Sequence, residues 1–503
     1  MNPPHLDVAA IAPIAFTGFG ALVVLLGEVW LSRRAAFLGR RTSESYIGSW
    51  LAVLSVVFLG IAIYCAGAAF SEGAPRIFDP ENPMLRLDRF GAYATVLIGI
   101  AAFLICWLSI TYLAELGINH GEYYALILLS TAGMFLLVGA TNLLALFLGL
   151  ELMSIPLYVL AGFDRRNLRS NESAFKYFLV GSFASAVLLY GIALVYGVSG
   201  ALDFEGIRKA FPPGNPLGTI GLGLLVVGFA FKVASAPFHQ WAPDVYEGAP
   251  TSVTAFMAIS VKVAAFTALL RLLIQAFGPV STSLTDLFWA LAVLTILVGN
   301  LMAVIQSNLK RLLAYSSIAH AGYLLIGFAT GTVDGYGSVL FYLLAYVFTN
   351  LGAFAVLVAL SQAGKDCDTF DDLAGVAKES PGLAALLTLF ALSLAGIPGT
   401  AGFVAKFYLF KSAVASGQTV LAIIGVLGSV VSVYYYLRIP VQMYMAEPAT
   451  ETPRRIASTG ELLVLATCAV VVLFLGFFPS HAPGIFGGVR ALEWARASVA
   501  MLF

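Results

Sequence analysis

An all-α polytopic membrane protein of about fourteen transmembrane helices is the fold class this sequence predicts. Three observations carry it. The 503 residues are 60% hydrophobic and only 11% charged, where soluble domains carry roughly a quarter charged residues. Mean hydropathy is +0.92. Apolar runs of about 20 residues, the length that crosses a bilayer, recur along the whole chain between short loops, and no Ser/Gly-rich linker sets off a second domain. A formal net charge of zero argues against nucleic-acid binding, which needs a basic face. Cys65, Cys106, Cys367 and Cys468 stand far apart, so no iron–sulfur cluster, zinc finger or disulfide framework is suggested. Neither a Walker A loop nor a strand-borne G-x-G-x-x-G is present.

The first span, about 11–31, reads IAPIAFTGFGALVVLLGEVWL. It lacks the positive leader of a signal peptide and is taken as a retained helix. Further runs are expected near 47–70, 88–113 and 122–139. The fifth, about 142–163, carries Glu151 in TNLLALFLGLELMSIPLYVLAG, and the sixth, about 173–197, has Lys176 just inside it. The seventh, about 216–247, is too long for one crossing and holds Pro237 near its centre, with Lys232 before it and His239, Trp241 and Asp244 after it. Lys262 falls midway through the eighth, about 251–275; the ninth spans about 284–304, and the tenth, about 311–330, contains His320. After the eleventh, about 335–362, the stretch DCDTFDDLAGVAKESP reads as a structural connector with an amphipathic turn. The twelfth, about 382–414, is again too long: ALSLAGIPGTAGFVAKFYLF is interrupted at Pro398 and followed by Lys406. Runs near 417–443 and 461–478 complete the set.

Basic residues orient the chain. Odd-numbered loops carry Arg33, Arg34, Arg40, Arg41, Arg165, Arg166, Arg169, Lys310, Arg311, Lys365, Lys378, Arg454 and Arg455. Even-numbered loops carry mainly Arg76, Arg86, Arg89, Arg208 and Lys209. Thirteen against five puts odd loops in the cytoplasm and both termini outside. The two interrupted spans lie five helices apart, an odd shift that reverses orientation, and so point to inverted repeats with a site near mid-membrane. The expected organisation is a single membrane domain over 1–503. It comprises three N-terminal helices (1–120), a first repeat (121–278), a second inverted repeat (279–445), and a C-terminal helix and tail (446–503).

An ionisable group at the bilayer centre costs about 2.5–3.5 kcal/mol and tends to mark a proton or ion path. Arg271, Lys411 and Arg438 lie near span ends, where snorkelling or headgroup binding accounts for them. For Lys176 both snorkelling and proton relay stand open. Lys232, Lys262 and Lys406 lie too deep to snorkel, and Glu151 is the single central carboxylate available to them. Three lysines and one glutamate do not make a set of neutral pairs, so function is the reading for these four. Burial lowers an amine's pKa until it can release a proton. A carboxylate about 4 Å away returns roughly 4 kcal/mol at an effective dielectric near 20, a factor of about a thousand in proton affinity. Glu151 moving relative to Lys232 would therefore load or unload the amine, and an unwound helix beside it would admit the water that carries the proton. His239 sits in the first interruption. His320 is either a relay or a packing histidine bonded to a hydroxyl such as Ser316 or Ser317. The two histidines, with no partner at i+3 or i+4, make a poor metal site.

FKVASAPFHQWAPDVYEGAP, NLKRLLAYSSIAHAGYLLIG, GIPGTAGFVAKFYLF and LGLELMSIPLYVLAG resemble the subunit N family of respiratory complex I, the proton-translocating NADH–quinone oxidoreductase. The motif-bearing resemblance covers about residues 140–440. It implies the antiporter-like fold, two inverted five-helix repeats with helices seven and twelve broken. It implies proton-translocating roles for Glu151, Lys232, Lys262 and Lys406, and matches Lys176, His239 and His320 to family positions of possible relay. The implied setting is a bacterial inner membrane, with sister antiporter-like subunits and other membrane-arm subunits as partners. No cofactor is expected on this chain; NADH, FMN, iron–sulfur clusters and quinone belong to partner subunits. Against it stand an Mrp-type or hydrogenase-linked cation/proton antiporter subunit and an uncoupled solute transporter. A sodium site would want more central carboxylates than Glu151, and no substrate pocket is displayed.

Overall fold

A computed structural model of the chain describes residues 6–37, 44–281, 284–361, 366–447, 457–478 and 491–503. Arg40, Arg41, Lys365, Arg454 and Arg455, which entered the orientation count, lie outside the described residues. Among the described residues, twelve helices are long and apolar enough to cross a membrane. The first six are α1 (Ala12–Phe37), α2 (Glu44–Glu72), α3 (Arg89–Leu116), α4 (Gly121–Gly139), α5 (Leu143–Ala161) and α6 (Leu168–Ser199). A two-residue hairpin, β1 (Arg76–Ile77) with β2 (Arg86–Leu87), joins α2 to α3. The short α7 (Phe204–Ala210) leads to α8 (Pro216–Lys232), which stops, and α9 (Trp241–Gly248) resumes after the gap.

The next crossing is composite: α10 (Thr251–Phe256), a π-helical turn over Met257–Val261, then α11 (Lys262–Ser281). There follow α12 (Thr285–Val304), α13 (Leu309–Ala329) and α14 (Val333–Leu360). The connector folds as a 3₁₀ turn and α15 (Val376–Glu379). Then come α16 (Pro381–Ala395), a gap, α17 (Ala401–Ala415), α18 (Thr419–Met445) and α19 (Thr459–Phe477). A last helix, α20 (Ala491–Ala500), packs on α14 and α3.

Polar caps start the helices where the apolar runs begin. Asp88, Asn142, Asn167, Asn215 and Asn308 each accept a backbone N–H of the first turn of α3, α5, α6, α8 and α13, meeting donors the helix itself leaves unpaired. Ser458 and Glu461 form a capping box on α19.

Burial sorts the helices by position. The apolar stretches of α10–α11 and α13 are wholly inside the protein and that of α14 nearly so. Those of α1, α2, α6, α12, α18 and α19 are less than half buried, and their outer faces carry large apolar side chains such as Trp50, Phe183 and Leu427. The central three helices therefore see no lipid, and polar groups on them face protein or water. Both described ends of the chain reach one face: Asp7 pairs with Arg76 at 3.4 Å, and the Phe503 ring stacks on Tyr336.

The two gaps differ in build. After Lys232 the backbone turns through Ala234 at φ +57° and the cis Ala236–Pro237 bond, and Thr295 of α12 receives the Ala236 N–H at 3.1 Å. After Ala395 the turn runs through Gly396 and Gly399, at φ +87° and +89°, a region open to glycine and strained for other residues. The π-helical turn before Lys262 was not visible in the hydrophobic pattern, which is continuous there. Such turns often mark functional sites.

Candidate functional site

Lys232, Lys262 and Lys406 are all buried, at 3%, 1% and 4% exposure. Among the described residues none forms an ion pair with a carboxylate; hydroxyls and backbone carbonyls take their hydrogens instead. Lys232, the last residue of α8, donates to Ser154 Oγ at 2.8 Å and Tyr158 OH at 3.3 Å, both on α5. Glu151 lies one turn before Ser154 on that helix, half-buried, with Oε1 lacking a hydrogen-bond partner. It is within electrostatic reach of Lys232 without bonding to it. Glu151 and Lys232 are thus not in contact in this conformation, and Ser154 and Tyr158 fill the lysine's first contacts.

Lys262 donates to the backbone carbonyl of Ser317 on α13, and the Tyr346 ring of α14 lies 5.8 Å from its Nζ. Tyr346 OH donates to Ser317 Oγ at 2.9 Å. His320, one turn further along α13, is held at Nδ1 by Tyr342 OH at 2.6 Å and at Nε2 by Tyr436 OH at 3.1 Å. Tyr436 also bonds Ser316. Lys406 folds back from α17 onto the second gap, donating to the Leu394 and Ala395 carbonyls at 3.0 and 2.9 Å and to Ser429 at 2.8 Å. Those carbonyls are acceptors left over where α16 ends. A Cβ at Gly396 would lie 2.9 Å from Lys406 Cδ, so this turn is fitted to the lysine. His320 lies within electrostatic reach of both Lys262 and Lys406.

The other expected residues fall elsewhere. Lys176 is part-exposed and pairs with Asp244 and Glu172, each at 2.7 Å, while Arg311 bridges Asp244 and Glu247 at 2.7 and 2.8 Å. It belongs to a rim ion network and is not among the buried lysines. His239 stands in the first gap with Nδ1 buried and unpartnered. Two expectations are corrected. Arg271 does not snorkel: it is fully buried, its Nη1 and Nη2 meeting Asp88 at 2.7 and 2.6 Å and its Nε donating to Val138 O at 2.9 Å. Arg438 does not reach outward either. It caps α12 by donating to Val304 O and Gln306 O at 2.9 and 3.1 Å, with its guanidinium over Phe370. In both, a nearby acceptor inside the protein outcompetes the membrane surface.

The connector also holds more than a turn. Asp366 accepts from Tyr112 OH at 2.7 Å, Thr251 Oγ1 at 3.0 Å and Lys310 Nζ at 3.1 Å. Burial alone would raise its carboxyl. The Lys310 charge and these hydrogen bonds outweigh that and hold it below the usual carboxylate range. Burial lifts the neighbouring Asp368 above that range. Asp366, Asp368, Tyr112 and Lys310 line, with Glu247 and Arg169, a polar pocket of about 210 Å³ next to the start of α10. Chemically, the arrangement offers buried amines and an imidazole, each hydrogen-bonded to hydroxyls or carbonyls, groups of the kind that proton transfer uses.

A family model described as NADH:quinone oxidoreductase/Mrp antiporter, TM, matches residues 140–432. A protein named NADH-quinone oxidoreductase subunit N from Trichlorobacter lovleyi is 46% identical, covering 87% of this chain and 89% of its own. NADH-quinone oxidoreductase subunit N 1 from Sorangium cellulosum is 42% identical, covering 97% and 99%. A chain of respiratory complex I from Thermus thermophilus superposes with TM-score 0.75 at 34% identity, covering 93% and 97%. A chain of the Mrp complex from Dietzia superposes with TM-score 0.85 at 23% identity, covering 98% and 97%, a likeness of fold alone.

Proposed function

Because the chain belongs to the subunit N family of NADH-quinone oxidoreductases, we propose that it translocates protons across the membrane, driven by quinone reduction in partner subunits. Its place is the membrane arm, among other membrane-arm subunits that include sister antiporter-like ones. The observation that carries the reading is the solvation of three buried lysines by hydroxyls and carbonyls without a paired carboxylate. A fixed charge for structure alone would carry its counterion, since an unpaired buried ammonium is costly. An amine that gains and loses a proton needs acceptors that serve both states.

In this reading Glu151 tunes Lys232, protons pass by way of Lys262 and His320, and Lys406 is the terminal carrier at the second gap. His239, beside the first gap, and Lys176, in the rim network, feed water or protons toward Lys232. The repeats divide at 121–278 and 279–445, and the face bearing the pocket at Asp366 is cytoplasmic. The amines at Lys232, Lys262 and Lys406 and the imidazole of His320 near the last two favour protons over sodium, because a protonated amine cannot coordinate a metal cation. Purification of the chain from its native membrane tests the setting. NADH–quinone reductase activity and its subunits should accompany the chain through a sizing column in mild detergent. Active cation–proton exchange by the single chain in liposomes, with no partner subunit, would instead mark a self-standing antiporter.

A further inference from the structure

We propose that a phospholipid with an anionic headgroup sits in the slot lined by α2, α3, α19 and α20, its phosphate on Arg89 and its acyl tails along α3. The slot has a volume of about 610 Å³. On α3 its wall is built from Arg89, Tyr93, Val96 and Ile100. Arg89 is the first residue of that helix, so the wall runs inward from the helix end for eleven residues, about 16 Å at 1.5 Å per residue. A hydrocarbon core about 30 Å thick makes that the depth of one leaflet. Phe474 of α19 and Leu344 of α14 continue the apolar lining. Gly67 of α2, one turn before Ser71 at the outer end, keeps the slot open: no atom lies within 4 Å of where its Cβ would stand.

The charge stands at the outer end alone. The Arg89 guanidinium lies over the Phe70 ring at 4.9 Å, and Trp494 of α20 meets the same ring edge-on at 5.9 Å. Among the described residues no carboxylate or carbonyl accepts from Arg89, and its Nε is buried without a partner. Arg76, Arg86 and Arg496 on the same side each pair with a carboxylate, so Arg89 is set apart from them. Buried donors are satisfied as a rule, and the arginine fork of five donors matches a phosphate. An unpaired guanidinium at the membrane end of an apolar slot selects a ligand with an anion at one end and hydrocarbon behind it. Tyr93 and Trp494 suit the same level, where headgroups give way to tails and amphipathic rings collect. The inference is independent of the proton-translocation reading.

The test places the assembled complex in phosphatidylcholine vesicles with a trace of phosphatidylglycerol that carries a diazirine in its acyl tail. After illumination the crosslinked peptides are mapped by mass spectrometry. Label should fall on α3 near residues 96–100 and on α19 near residues 471–475. Arg89→Gln should cut that label about tenfold or more, the scale of a hydrogen bond to a charged group. Arg89→Lys keeps the charge without the fork and should stay within about threefold of the parent. Gly67→Leu fills the slot with a better helix former, leaves Arg89 in place and should cut the label as far. Arg89→Gln decides the matter should Gly67→Leu fail to assemble. Diacylglycerol with the same diazirine should label poorly, and excess inorganic phosphate should leave the lipid label unchanged; displacement by phosphate would mark a site for free anions and overturn the inference. An unlabelled parent would overturn it too, by showing the slot covered by protein such as a partner subunit's helix. Equal label in the parent, Arg89→Gln and Gly67→Leu would reduce the slot to general lipid contact.

Discussion

Lys232→Ala and Lys232→Arg should both abolish this subunit's share of the protons pumped per NADH oxidised, since proton transfer at this step would slow about a hundredfold or more, while any share of the sister subunits persists. The complex should still assemble. Alanine removes charge and titration together. Arginine keeps the charge but holds its proton, since the guanidinium pKa exceeds about 12. A structural cation would show the opposite order, with arginine the milder change. The geometry makes the comparison sharp. Ser154 Oγ and Tyr158 OH, the lysine's contacts at 2.8 and 3.3 Å, can accept from either side chain, so arginine does not lose a counterion it needed. Glu151→Gln removes the charge one turn from Ser154 and should slow pumping while leaving the Lys232 contacts in place. The same alanine and arginine pair at Lys262 and Lys406 extends the test along the path. The measurement is acidification by inverted vesicles per NADH consumed, with assembly followed on native gels. Near-normal pumping in Lys232→Arg would sink the titrating-lysine mechanism, whatever the family membership.

Much of this arrangement could be read before any coordinates, and the reason is physical. A bilayer imposes a length, so apolar runs announce spans, and two runs too long for one crossing announce the gaps beside Lys232 and Lys406. Polar residues such as Asn142, Asn215 and Asn308 mark the starts. A lysine far from any span end stands out because its cost is large. What stayed hidden was set by packing between distant segments. Tyr342, Tyr346 and Tyr436 read as ordinary core aromatics, although the i, i+4 repeat of polar tips on α14 was a usable signal. Ser154 and Tyr158 follow Glu151 at i+3 and i+7, again one face of one helix, and could have been joined to it. The role of Asp366 had no such trace. It depends on Tyr112, Thr251 and Lys310 arriving from three other elements.

The buried Arg271–Asp88 pair was hidden from the sequence for the same reason, and breaking it should have a large effect on stability. The position of Arg271 near a span end suggested a side chain reaching outward, but Asp88, 183 residues earlier, receives it in a two-point contact inside the protein. The pair ties the cap of α3 to α11, the helix that carries Lys262. Asp88→Ala strands a buried guanidinium, and breaking such a pair from one side costs about 3–5 kcal/mol. Arg271→Met leaves the carboxylate to Arg86 at 3.5 Å and the Gly91 amide at 2.8 Å, so it should cost less than Asp88→Ala. The double change Asp88→Leu with Arg271→Met removes both charges and should recover most of the loss, because desolvating the pair offsets much of its attraction. The readout is the thermal midpoint of the purified complex and the fraction assembled on native gels. Acid gives an independent check. Burial pushes the Asp88 carboxyl up, but the Arg271 charge and hydrogen bonds, the Gly91 amide and Arg86 outweigh it and leave it below its usual range. A lowered carboxyl contributes its full stability above the unfolded value, about 3.9, and loses it only as pH falls through the folded value. The gap in midpoint between the parent and Asp88→Ala should therefore stay level from pH 6 to 8 and close only in acid well below. A gap that narrows steadily across neutral pH would mean that the pair is not the source of the stability.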